Sequence, residues 1–208
     1  VAQLGSAGAL GAYLFTNETD CNNWLSYFYN KLYSDGKWQR FTSAGALKTP
    51  AFFISSFGNI FEESQFITEI AETKRPFKNK EKMISVFLMI FDHLDQENKI
   101  NIIKKHPDLA DKVKINRGLS KLSDDEQSKS GLKDCTEDEF NMFQKLNYSF
   151  KAKFNIPYIL AVRNRNKNEI IEDFKNRLNS SDIQKEIKIS INQVREIAKL
   201  RLKEIIDE

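Results

Sequence analysis

From Phe52 to the C-terminus, apolar residues recur in steps of three and four and never alternate over a useful length. Such steps return to one face of a helix, whereas a half-buried strand needs a period of two. Phe140, Phe143, Leu146 or Asn147, Phe150 and Phe154 mark one stripe. Ile187, Ile191, Val194, Ala198 and Ile205 mark another, and Phe57, Ile60, Phe61, Ile67 and Ile70 a third. Residues 80–92 read as a strongly apolar helix and residues 167–178 as a shorter one. A helix from Gln96 should stop at Lys105, because His106 precedes Pro107 and the residue before proline avoids the helical region. Ser123 with Glu126, and Thr136 with Glu139, are capping-box patterns that open helices. Asn155-Ile156-Pro157 closes the second of these. Only Tyr158–Val162 is apolar enough to be a strand. The expectation is an all-α, multi-helix bundle.

Composition agrees. Eight Gly and four Pro among 208 residues are too few for a turn-dense β-sandwich or barrel. A chain this long can bury a full core without disulfides or a structural metal. Sixteen Phe, against two Trp and six Tyr, point to a core of flat apolar rings. Residues 1–50 differ from the rest and hold all but three of the glycines. Ser-Ala-Gly-Ala-Leu occurs there twice, at 6–10 and 43–47, too little for a solenoid. Gly5, Gly8 and Gly11 do not match the dinucleotide-binding fingerprint. Trp24, Leu25, Phe28 and Leu32 give one plausible amphipathic helix, and Pro50 marks a boundary. The chain therefore divides into an N-terminal extension, 1–50, and a helical domain, 51–208. The extension has no readable role; it is an upstream-domain remnant, a natural extension or an artificial addition.

Several function classes are disfavoured. Lys plus Arg is 32 and Asp plus Glu 29, interleaved to a net charge of +3. That is a solvated surface rather than a nucleic-acid footprint. Cys21 and Cys135 are too distant in sequence to suggest a disulfide framework, so a reducing, cytoplasmic setting fits. With only His93 and His106, a Cys/His zinc cluster is disfavoured, and no metal is expected. The longest apolar run, Met83 to Phe91, ends at Asp92, short of a bilayer span. The N-terminus lacks the basic residues of a signal peptide. No membrane partner is expected.

Three polar features stand out. His106 lies between a helix end and Pro107, in HPDLADK. An imidazole with an ordinary pKa near ~6.5 suits acid–base work, and a helix C-terminus would favour its protonated form. An exposed capping histidine reads equally from the same position. Ser123-x-x-Glu126-Gln127 is explained by capping alone, yet a Glu held at a helix N-terminus can also orient an imidazole. Arg201 falls on the apolar stripe 187, 191, 194, 198, 201, 205 of the last helix. A guanidinium facing a core needs an anionic or carbonyl partner. That partner is a substrate or a structural ion pair, unless the side chain snorkels. His93 and Cys135 read as structural.

Taken in order, these residues resemble a known family. HPDLADK at 106–112, Ser123-x-x-Glu126-Gln127-x-x-x-Gly131-Leu132, Leu146-Asn147, FNIPYILAVR at 154–163 and Ile197-x-x-Leu200-Arg201-Leu202 look like OHCU decarboxylase. The upstream FGNIFEESQFITEIA is similar to that family's first helix. OHCU is 2-oxo-4-hydroxy-4-carboxy-5-ureidoimidazoline, an intermediate of urate breakdown in purine catabolism. The resemblance covers roughly residues 52–206 and does not reach 1–50. It implies a cofactor-independent carboxy-lyase, an all-α homodimer in the cytoplasm, forming (S)-allantoin. By motif, it makes His106 the acid–base residue, with Glu126 orienting it and Arg201 completing the catalytic set. Ser123 and Gln127 would contact substrate, Pro107 would shape the pocket, and the backbone of Tyr158, Ile159, Leu160, Ala161 and Val162 would line the ureido end. Three positions depart from the pattern. Asp111 stands where many members have Gly and adds negative charge near an anionic substrate. Gln65-Phe66 replaces a common Pro-Trp. Asn155 replaces a Gly, a mild change because Asn tolerates a left-handed backbone. The competing reading is a catalytically inactive helical interaction module of the same fold. The complete set of His106, Glu126, Gln127 and Arg201 argues against it.

Overall fold

A computed structural model describes residues 50–110 and 131–207. Seven α-helices and one short 3-10 turn, with no strand, make up the described residues. They are α1 (Pro50–Phe57), α2 (Phe66–Glu72), α3 (Lys80–Asp92), α4 (Gln96–Lys105), α5 (Glu137–Phe154), α6 (Lys167–Leu178) and α7 (Ile183–Asp207). The 3-10 turn, Leu132–Asp134, precedes α5. The fold is all-α, as the periodicity predicts. The early helix expected around Trp24 and the Ser123 capping box lie outside the described residues.

Side chains set where these helices begin. Asn79 accepts from the Lys82 N–H at 2.8 Å to open α3, and Asp95 from the Asn98 N–H at 2.7 Å to open α4. Thr136 with Glu139 and Asn166 with Glu169 form reciprocal capping boxes at the starts of α5 and α6. Just before α7, Asp182 accepts from the Lys185 N–H at 2.9 Å. Each occupies a donor that the first helical turn leaves unpaired. At the far end of α5, Asn155 turns left-handed, φ 55° and ψ 25°, the conformation anticipated for an Asn in a glycine's place.

Helix α7 is the mast of the molecule and packs on α3 and α4. Helices α1, α2 and α3 pack in succession, and α5 pairs with α6. Two groups of rings fill the interior. Phe53, Phe57 and Phe87 meet with Phe77 below α1, while Phe61 stacks on Phe91 at 5.0 Å. Phe150 contacts Phe154, Tyr158 and Phe174 between α5 and α6. Each fully buried ring contributes roughly 1.5–3 kcal/mol through lost water contact. Among the described residues, no helix is long and apolar enough to cross a membrane.

Two stripes depart from the expected spacing, and a third settles an open choice. Residues 57–70 are not one helical run: α1 ends at Phe57 and a turn carries Ile60 and Phe61 inward before α2 begins. Ile70 is consequently on the outer side, 40% exposed. On α5, Asn147 takes the core place and Leu146 is half-buried. On α7, the buried row runs Val194, Ala198, Leu202, Ile206, and Ile205 lies half-buried beside it. Tyr158–Val162 is not a strand. It is a buried, irregular strap between α5 and α6.

Candidate active site

His106 closes α4. Its backbone is extended, φ −67° and ψ 139°, as the following Pro107 requires. The side chain folds back into the core and is buried. Nδ1 donates to the Ile102 carbonyl at 3.0 Å; a carbonyl only accepts, so the ring hydrogen sits on Nδ1. Nε2 therefore presents a lone pair. It is buried and has no hydrogen-bond partner among the described residues. Leaving such an atom unpaired costs about 1–3 kcal/mol. Burial drives the imidazole pKa down to about 4; the Glu62 carboxylate opposes the shift and the Arg201 guanidinium reinforces it. The helix dipole anticipated from sequence is outweighed by desolvation. Near neutrality the ring is uncharged and able to accept a proton.

Arg201 is 1% exposed on the core side of α7. Its Nη2 lies 2.8 Å from Glu62 Oε1, and Nη1 donates to the Asn59 and Ile60 carbonyls at 3.3 Å each. The sequence calls for an anionic or carbonyl partner for this guanidinium, and the α1–α2 turn supplies both kinds. A snorkelling Arg201 is excluded. Sequence reasoning missed Glu62. The available signal was an acidic residue directly after Ile60-Phe61, at the end of an apolar run, in a chain that owed Arg201 a buried carboxylate.

The segment after His106 is fastened to α5. Pro107 is half-buried beside the ring's residue. Asp108 accepts from Lys151 Nζ at 2.6 Å, and buried Asn147 donates to the Leu109 carbonyl at 2.9 Å. Buried Asn147 explains why the stripe carries a polar residue at that step.

The strap Tyr158–Val162 is held from α6 and α7. Arg177 Nη1 donates to the Ile159 carbonyl at 2.6 Å, and the Ala161 N–H donates to Gln193 Oε1 at 2.9 Å. Arg177 is in turn paired with fully buried Glu186 and bonded to Ser190 at 3.2 Å. Tyr158 stacks on Phe174 at 3.7 Å and donates its hydroxyl to Asp173. Burial and that carboxylate push its pKa far up, so the phenol stays neutral and is not an acid–base candidate. Leu160 and Val162 are buried, and Ala161 is half-buried. No hydrogen bond among the described residues joins the strap to His106. Ser123, Glu126, Gln127 and Asp111 lie outside the described residues. His93 is exposed and caps α3, its Nδ1 2.7 Å from the Met89 carbonyl; Cys135 is buried. Both fit the structural reading. Among the described residues, no group of three His, Cys, Asp or Glu is placed to hold a metal ion.

A family model described as OHCU decarboxylase matches residues 47–203. The chain is 34% identical over 156 residues to the "Uric acid degradation bifunctional protein" of Bacillus sp. (strain TB-90). That match covers 75% of this chain, which spans only 30% of the relative. It is 31% identical over 154 residues to the "Putative 2-oxo-4-hydroxy-4-carboxy-5-ureidoimidazoline decarboxylase" of Homo sapiens, covering 74% of this chain and 88% of that one. The "Crystal structure of OHCU decarboxylase in the presence of (S)-allantoin" superposes with a TM-score of 0.59. It shares 15% identity and covers 74% of this chain and 99% of that one, a likeness of fold.

Proposed function

The chain belongs to the OHCU decarboxylase family, and from that premise we propose that it converts OHCU to (S)-allantoin and CO₂ without a cofactor. The observation that carries the reading is His106: a buried, neutral imidazole whose Nδ1 is committed to Ile102 and whose Nε2 is left to meet a ligand. A polar atom is rarely kept buried and unpaired unless function uses it.

The chemistry needs little more. In OHCU, the carbon that loses CO₂ also carries a hydroxyl and adjoins a C=N group. The electron pair of the breaking C–C bond flows into that C=N, so the substrate is its own electron sink. What remains is proton handling on one face. The C=N nitrogen that receives the pair takes a proton from solvent, and His106 Nε2 accepts the hydroxyl proton as the carbonyl forms and returns a proton to the neighbouring carbon. Delivery from one side gives one enantiomer. The Glu126 carboxylate stabilises the imidazolium by its charge, Arg201 grips the substrate's carboxylate or carbonyl edge, and Ser123, Gln127, Pro107 and the strap 158–162 complete the pocket. A partly dry site favours departure of the carboxylate as neutral CO₂.

Freshly generated OHCU, incubated with and without the protein and followed by circular dichroism, tests the reading. Uncatalysed decay gives racemic allantoin, so optical activity that depends on protein supports it, and racemic product at the background rate rejects it. The same reading carries a cytoplasmic homodimer. Sedimentation at twice the 24.2 kDa chain mass is the expected result, and a monomer at working concentration rejects it.

A further inference from the structure

Glu62 is a carboxylate only 4% exposed, in a turn otherwise buried through Ile60 and Phe61. Its backbone is left-handed, φ 36°, and so is that of Glu63, φ 32°. Such conformations cost a non-glycine residue about 1–3 kcal/mol each and persist only where the surroundings impose them. Here they are imposed from three sides. Lys105, the residue before His106, donates from Nζ to the Glu63 carbonyl at 2.8 Å and to Ser64 Oγ at 3.4 Å. Thr68 Oγ1 donates to the Phe57 carbonyl at 2.8 Å. At the start of the turn, Gly58 N–H meets the Ile54 carbonyl at 2.7 Å, and a side-chain Cβ on residue 58 would come equally close to that oxygen. One turn, fastened to the His106 end of α4, thus holds the α7 guanidinium through Glu62 and the carbonyls of Asn59 and Ile60.

We propose that Glu62 is a positioning residue for the reaction: it fixes the Arg201 guanidinium on the His106 side of α7 and balances its charge. This role rests on the decarboxylase reading. Two consequences follow. A guanidinium already paired with a carboxylate grips the substrate's own carboxylate less tightly in the ground state than an unpaired cation does, leaving it freer to depart as CO₂. The same Glu62 charge supports His106 once it has taken up a proton, against the opposing Arg201. These two, one in the α1–α2 turn and one on α7, are the charged groups among the described residues that act on His106.

Two variants test the role. Glu62→Asp keeps the charge and withdraws it by one methylene; Glu62→Gln keeps the shape and removes the charge. OHCU kinetics and an NMR titration of the His106 ring, resolved from His93, are measured on each. Both should lose kcat by about 10²-fold, the scale of a small misplacement at a reacting centre. In Glu62→Gln the KM should not rise, because an Arg201 relieved of the Glu62 charge holds the substrate at least as well, and the His106 midpoint should fall. In Glu62→Asp that midpoint should stay near its place. If Glu62→Gln does not fold, Glu62→Asp decides alone. Folded variants with wild-type kcat, whether or not they melt earlier, overturn the role, as does a raised KM at unchanged kcat. A wild-type chain that does not accelerate OHCU loss is a different failure: it overturns the decarboxylase reading itself.

Discussion

At His106 the structure ties chemistry to stability. The native ring holds a proton only below about 4, whereas an unfolded histidine holds one below about 6.5. Between those values the unfolded state binds more protons, so stability rises with pH through this window and the penalty vanishes above it. Acidification from about 6.5 to about 4 should cost the native state up to about 3 kcal/mol through this residue. His106→Asn should remove that dependence, read as urea midpoints across the pH range, and abolish enantioselective turnover while the helices persist. A variant with the same acid sensitivity and normal optically active product would take the histidine out of both arguments. At Arg201 the ion pair with Glu62 settles the direction of a stability change. Arg201→Met takes the guanidinium from the buried Glu62 carboxylate and should cost up to roughly 3–5 kcal/mol. Adding Glu62→Leu should restore most of it, since two hydrophobic replacements leave neither charge stranded. A double-mutant cycle by thermal melting measures the coupling; additive losses would mean that the pair is not the reason for the cost.

At the scale of elements, the helices were legible because their ends are written locally. Thr136 and Glu139 sit three apart before an apolar stripe, and the capping box forms where the pattern puts it. Thr136→Ala should cost about 1 kcal/mol in chemical denaturation with OHCU turnover per folded molecule unchanged. A lost activity there would show that α5 transmits its register to the site. What was illegible is tertiary in origin. The turn at 58–65 reads as continued helix because Phe57, Ile60 and Phe61 keep helical spacing; only the packing of α2 on α1 reveals that the chain has bent. The strap 158–162 reads as a strand from its apolar residues, yet its bonds go to Arg177 and Gln193 side chains, and no strand among the described residues supplies a ladder. Arg201 was legible as an anomaly on a stripe, because burial of a charge is visible in one helix. Its partner was not, because Glu62 is 139 positions away and no local rule links the two.

At the scale of the whole molecule, the core of the described residues runs from Phe53 to Ile206, and the family match runs from 47 to 203. On the family match we propose that the cooperative unit lies within residues 47–208. The Bacillus relative adds weight, since this chain matches only 30% of it, as a segment within a longer protein. Because the substrate supplies its own electron sink, turnover by this unit should survive exhaustive chelation; activity lost to chelator and restored by a divalent ion would overturn the cofactor-free chemistry. Removing residues 1–46 is the sharper test. If the helical domain is self-sufficient, the shortened chain should keep its helical circular dichroism and its thermal midpoint. It should also give optically active allantoin with kcat/KM within about twofold of the full chain. The two halves of the readout separate the possible roles of the extension. A shortened chain that melts much earlier assigns residues 1–46 to the fold. One that melts normally but loses turnover assigns them to the site or to its access. Either result would move the domain boundary from Pro50 toward the N-terminus, whereas equal melting and equal turnover would leave it where the glycine-rich composition ends.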